Sequence, residues 1–184
     1  MGNKDPYRPH RQGSLDGLCG IYAIINALRT ASGVEADADE LFATACNALA
    51  KSRWPEVLWV GTGIGDMRNM VAASIAKHGD GQLRARYPFL RNKPSSNAEF
   101  WYKLEDAFAE HDATCAVIGL DKPHKHWLAI GLDGGRVQIL DSDGPSRYDR
   151  KNRASIHAGL RRKKPDQWLV SRTDVALFCR VPQT

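Results

Sequence analysis

Apolar and polar residues alternate at helical spacing through the first two-thirds of the chain. From Leu18 to Arg29 the apolar positions Ile21, Ile24, Ile25 and Leu28 recur three or four residues apart, which gives a helix one buried stripe. Gly33 follows as a stop, since glycine takes a left-handed helix end without steric cost. Asp37 or Asp39 opens a second helix, with Leu41, Phe42, Ala45 and Leu49 on one stripe. A third is expected from about Asp66 to Lys77, after the glycine-rich turn that begins at Gly61. Ser96-Asn97-Ala98-Glu99 has the form of a capping box, in which the serine oxygen and the glutamate carboxylate satisfy backbone N–H groups that the first turn leaves unpaired. The helix it opens is expected to reach about His111 and to bury Phe100, Leu104 and Phe108.

After Asp112 the pattern changes. Thr114 to Leu120 is a short apolar, β-rich run. His126 to Leu132 and Arg136 to Leu140 flank Asp133-Gly134-Gly135, the strongest hairpin signal in the chain. Trp168 to Ser171 and Asp174 to Val181 are expected as further strands. Helices followed by an antiparallel sheet make an α+β class. No repeat, low-complexity tract or linker divides the chain, so residues 1–184 read as one domain, with 1–11 flexible.

Composition narrows the function classes. The chain has 184 residues, is 42% hydrophobic and 26% charged, and carries a net +5, a globular balance without a polybasic character. Residues 147–164 hold Arg147, Arg150, Lys151, Arg153, Arg161, Arg162, Lys163 and Lys164 against Asp149, a local +7, so the remainder sums to −2. That segment reads as a solvated helix face or loop, or as a docking surface for an acidic partner. With no interleaved aromatics or nucleic-acid motif, nucleic acid is the disfavoured partner. No apolar run is long enough to span a bilayer and the N-terminus lacks a signal-peptide core, so no membrane association and a cytoplasmic location are expected. Export by a dedicated secretion apparatus, as for an effector, would leave no mark at this level. The four cysteines Cys19, Cys46, Cys115 and Cys179 contain no CxxC pair, which argues against a disulfide scaffold and a zinc knuckle.

Of these cysteines Cys19 stands apart. It lies where the polar, glycine-containing stretch Gln12-Gly13-Ser14-Leu15-Asp16-Gly17-Leu18 gives way to an apolar helix. A thiol at a helix N-terminus meets the positive end of the dipole and unpaired N–H donors, both of which favour the nucleophilic thiolate. Its own N–H and the Gln12 amide are candidate donors for an oxyanion. A thiolate used for acyl transfer needs a base or ion-pair partner, and that partner needs an orienting acceptor. His126 begins the first hairpin strand and Asp141 ends the return strand, so the hairpin brings the two together. Cys46, Cys115 and Cys179 lie within apolar patterns and read as inert core.

These segments resemble the papain-like cysteine peptidases, closest in pattern to the C39-like, bacteriocin-processing group. The resemblance rests on Gln12, Asp16-Gly17-Leu18-Cys19-Gly20, His126-Trp127-Leu128-Ala129-Ile130 and Ile139-Leu140-Asp141-Ser142-Asp143-Gly144. It implies a papain-like fold with nucleophilic Cys19 on a central helix packed against the sheet, His126 as general base, Asp141 as its orienter and Gln12 in the oxyanion hole. It also implies a thiol hydrolase acting on a peptide or isopeptide bond of a protein substrate, with no cofactor and no metal. Two other readings keep the fold: a transglutaminase-like acyltransferase with an amine in place of water, and an inactive adaptor whose basic segment binds an acidic partner.

Rival residues have simpler roles. Asp143 reads as a turn residue, His124 as solvated and Asp16 as a helix cap. Gly61-Thr62-Gly63-Ile64-Gly65-Asp66 lacks a dinucleotide or P-loop fingerprint and reads as a turn into a helix. Trp54, Trp59 and Trp101 read as core filling or as the lining of a substrate groove.

Overall fold

The computed structural model describes residues 17–33, 37–122, 124–133, 136–142, 149–152, 155–159, 161, 164 and 167–182. Five α-helices and seven strands occur among them, in the mixed α+β class expected. They are α1 (Cys19–Ser32), α2 (Ala38–Ala48), α3 (Val57–Val60), α4 (Ile64–His78), β1 (Leu83–Arg86), α5 (Asn97–Glu110), β2 (Ala113–Lys122), β3 (His126–Asp133), β4 (Arg136–Leu140), β5 (Asp149–Asn152), β6 (Ile156–His157) and β7 (Trp168–Arg180). The sheet runs β1-β7-β2-β3-β4-β5, antiparallel throughout that path. The short β6 pairs in parallel with β7.

The apolar runs of β2 and β3 are continuous because both faces of the sheet are covered. Successive side chains of a strand point to opposite faces. Cys115, Val117, Trp127 and Ala129 therefore join α1, α2 and α4, while Ala116, Ile118, Leu128 and Ile130 join Phe100, Trp101 and Leu104 of α5. The α1 stripe is wide enough that Ile21, Ile24, Ile25 and Leu28 are all at most 2% exposed, which makes α1 a central helix rather than a surface one.

Helix ends follow the sequence signals with two corrections. Gly33 adopts φ 66° and stops α1, and the Asp37 side chain accepts from the Asp39 N–H at 2.9 Å. The Ser96 cap forms, accepting the Glu99 N–H at 3.1 Å. The reciprocal bond does not go to Ser96: Glu99 Oε2 accepts from the N–H and hydroxyl of Ser95 instead, and Glu99 also pairs with Lys103 at 2.6 Å. Asp16, expected to cap α1, lies outside the described residues, and the N-cap position is Leu18, which supplies no side-chain cap.

The strands differ more from expectation. β1 interrupts the expected helices-first order, and β5 and β6 occupy part of the basic segment expected as a helix face or loop. The two C-terminal strands are one, β7, with an irregular register midway. Phe108 is half-buried, its place on the stripe shared by Trp101 and Ala107.

Candidate active site

Cys19 is the first residue of α1, and its side chain is 8% exposed. Its N–H and that of Gly20 belong to the first turn, where no carbonyl lies four residues earlier within the helix. The entry to α1 is fixed from behind: the Gly17 N–H donates to the Leu58 carbonyl at 2.7 Å, and a Cβ on Gly17 would stand only 2.8 Å from that oxygen. Gly20 is packed as closely, against side chains rather than backbone. A Cβ there would lie 2.3 Å from Thr62 Oγ1 and 2.6 Å from Met67 Sδ. The helix start is thus pressed against the Gly61–Gly63 turn that leads into α4.

The β3–β4 hairpin supplies the other two groups. Its register, with Ala129 opposite Leu140, brings Asp141, the first residue beyond β4, to the His126 end of β3. His126 Nε2 lies 2.6 Å from Asp141 Oδ1, with the imidazole only 5% exposed and the carboxylate 18%. The imidazole and the Cys19 thiol line the same cleft, and the thiol donates to the Gly17 carbonyl at 3.9 Å. Burial alone would favour the neutral ring. The hydrogen bonds to Asp141 and Cys19, and the negative charge of both, outweigh burial and push His126 up to about 10. At neutral pH the ring is therefore an imidazolium held by the Asp141 carboxylate on the side of the Cys19 sulfur.

Burial pushes Cys115 up to about 12 and raises Cys46 and Cys179, so none is a poised nucleophile.

Cys19 and His126 open onto a cleft of about 250 Å³. One wall is Arg53 with Val60, Gly61, Thr62 and Gly63; the other is the Gly119–Asp121 end of β2 with Lys125 and Asp174. Trp127 ties the walls together, its indole N–H donating to the Thr62 carbonyl at 2.8 Å. Arg53 pins the turn, pairing with Asp66 at 3.2 Å and donating to the Gly61 carbonyl at 3.1 Å. Val60 of the cleft wall is 60% exposed, and Trp59, which does not line the cleft, is 73% exposed.

Cys19, His126 and Asp141 are brought together as the sequence predicts. Gln12, the expected second oxyanion donor, and Asp143 lie outside the described residues. His124 is exposed, its ring 5.5 Å from that of His126. The Gly61–Asp66 stretch forms a turn into α4, which begins at Ile64 rather than Asp66, and the Asp66 side chain accepts from the Gly63 N–H at 3.1 Å. Trp54 and Trp101 pack in the two apolar clusters and do not line the cleft. Arg53, Gly119 and Asp174 carry no sequence signal as wall residues: Gly119 and Asp174 reach the cleft through the sheet, and Arg53 through its bonds to Asp66 and the Gly61 carbonyl.

Among the described residues no group of three or more His, Cys, Asp or Glu side chains is placed to hold a metal ion, and no helix is long and apolar enough to cross a membrane. No protein-family model matches the chain, and no curated protein sequence matches it.

Proposed function

We propose that the protein is a papain-like thiol hydrolase that cleaves a peptide or isopeptide bond of a protein substrate. The observation that carries this reading is Cys19 at the start of a buried helix, facing an imidazole held 2.6 Å from Asp141. A central helix bearing the thiol, packed on an antiparallel sheet bearing the histidine, is the layout the resemblance to papain-like peptidases implies.

The chemistry follows from the groups present. The Cys19 thiolate adds to the substrate carbonyl carbon, and the oxygen that becomes anionic meets the N–H groups at the start of α1. His126 gives its proton to the leaving amine as the C–N bond breaks, leaving a thioester on Cys19. A water then loses a proton to His126 and attacks the thioester, releasing the carboxylic acid and the thiolate. Asp141 holds the ring orientation and stabilises its positive charge through both steps.

Mass spectrometry of a peptide pool incubated with the protein, with and without an added primary amine, tests the reaction class. Cleaved products that need Cys19 are expected. Amine-crosslinked products without cleavage would assign the acyltransferase reading instead.

A further inference from the structure

β7 does not run evenly beside β2. Ile118 pairs with Val175 and Leu120 with Val170, so the single residue Gly119 faces the four residues Ser171–Asp174. Extra residues on one strand bulge it outward and re-aim a side chain, a device common beside active sites. The bulge is anchored on its far side, where Arg172 Nη1 donates to the carbonyls of Pro94 at 2.9 Å and Ser95 at 2.6 Å. On the near side the Thr173 hydroxyl donates to Asp174 Oδ1 at 3.2 Å. Gly119 makes the room: a Cβ there would stand 2.9 Å from the Asp174 Cβ and 3.4 Å from its Oδ2. The outcome is a half-buried carboxylate on the cleft wall, over the Gly119–Trp127 pair and one pairing step from His126.

The remaining charges of the cleft leave that carboxylate uncompensated. Arg53 is committed to Asp66 and the Gly61 carbonyl. Asp121, on β2, and Lys125, just before β3, are exposed on either side of the Leu120–His126 pair, so these two opposite charges lie at the solvent-facing mouth. Among the described residues no basic side chain pairs with Asp174. A carboxylate set into the wall of a cleft acts through a lower effective dielectric than one on an open surface, so it discriminates between substrate charges more strongly.

We propose that Asp174 is a specificity-determining residue, selecting substrates with a lysine or arginine side chain within two residues of the carbonyl that Cys19 attacks. This rests on the thiol-hydrolase reading. A substrate cation that reaches this wall meets a half-buried carboxylate that no basic side chain among the described residues neutralises. A neutral residue of equal length gains no such attraction, and an acidic one meets like charge.

The test uses peptidyl acyloxymethyl ketones that differ only in carrying lysine, norleucine or glutamate at the first or second residue before the electrophile. Attack by Cys19 forms a thioether and expels the acyloxy group as a carboxylate, so labelling is read as a mass increase on Cys19. At one of the two positions the lysine probe is expected to label roughly tenfold faster than norleucine, and the glutamate probe slowest. Raising the salt concentration should shrink the wild-type preference, and Asp174→Asn should bring the lysine-to-norleucine ratio close to unity. Equal rates for lysine and norleucine at both positions would overturn the proposal, as would a preference that survives Asp174→Asn. If Asp174→Asn does not fold, Asp174→Ser is read in the same assay, and Asp121→Asn should leave the lysine preference in place. Failure of every probe to label Cys19 would instead overturn the hydrolase reading on which the proposal stands.

Discussion

His126 Nε2 lies 2.6 Å from Asp141 Oδ1, which leaves the other ring nitrogen to serve the Cys19 thiol. The carboxylate therefore fixes both the orientation of the imidazole and the nitrogen it presents. Asp141→Asn keeps the shape but removes the charge that stabilises the imidazolium. A fall of at least about 100-fold in kcat/KM is expected, with folding retained. Kinetics on a peptide substrate, alongside circular dichroism of the variant, check it.

The raised His126 has a consequence for stability. Its folded value of about 10 lies above the ordinary 6.5, so the protonated ring stabilises the folded state fully below 6.5. That contribution is lost progressively as pH rises from 6.5 towards 10. Denaturant unfolding of the wild type should show this decline between pH 7 and 9.5. In Asp141→Asn the decline over the same window should be shallower, because the largest force raising the ring has been removed.

Gly20 sits where α1 meets the Gly61–Gly63 turn, with Thr62 Oγ1 and Met67 Sδ both inside the contact distance of an added Cβ. Gly20→Ala must displace the Thr62 and Met67 side chains packed against the helix start. A loss of about 1–3 kcal/mol in unfolding free energy is expected, read by urea denaturation. Displacement of the cleft wall should lower kcat/KM as well.

Trp127→Phe removes the indole N–H that reaches the Thr62 carbonyl and so unties the two cleft walls. Trp127 is 6% exposed, so the shorter phenylalanine also leaves its packing incomplete. A destabilisation of about 1–3 kcal/mol is expected, measurable by urea denaturation, and substrate KM should rise more than kcat falls.

Far from the cleft, the Ser96 hydroxyl accepts the Glu99 N–H at 3.1 Å and caps α5, the helix that covers the opposite face of the sheet. Ser96→Ala should cost about 1 kcal/mol in thermal or denaturant unfolding and leave peptide cleavage unchanged.

The parts legible in the sequence were those whose cause is local. The α1 stripe from Ile21 to Leu28, the Gly33 stop, the Asp37 and Ser96 caps and the β3–β4 hairpin all follow from neighbouring residues, and the hairpin carries His126 and Asp141 with it. β1 was hidden because Leu83-Arg-Ala-Arg is a four-residue edge strand with Leu83 its one buried side chain. β7 read as two strands because Arg172-Thr173-Asp174 interrupts its apolar pattern, and only the pairing with β2 shows that this interruption is a bulge. The placement of Asp174 depends on that long-range register and on the missing side chain of Gly119. No local pattern carries it. The capping box of α5 shows a smaller limit: Ser96 caps the helix as expected, but the reciprocal bond to Glu99 comes from Ser95.

The most direct test is the reactivity of the four thiols in the native protein, compared by limited iodoacetamide alkylation at pH 6 and peptide-resolved mass spectrometry. Cys19 is expected to alkylate far ahead of Cys46, Cys115 and Cys179, and to lose that lead in His126→Ala. A Cys19 that reacts no faster than the other three, or as fast without His126 as with it, would contradict a thiolate–imidazolium nucleophile.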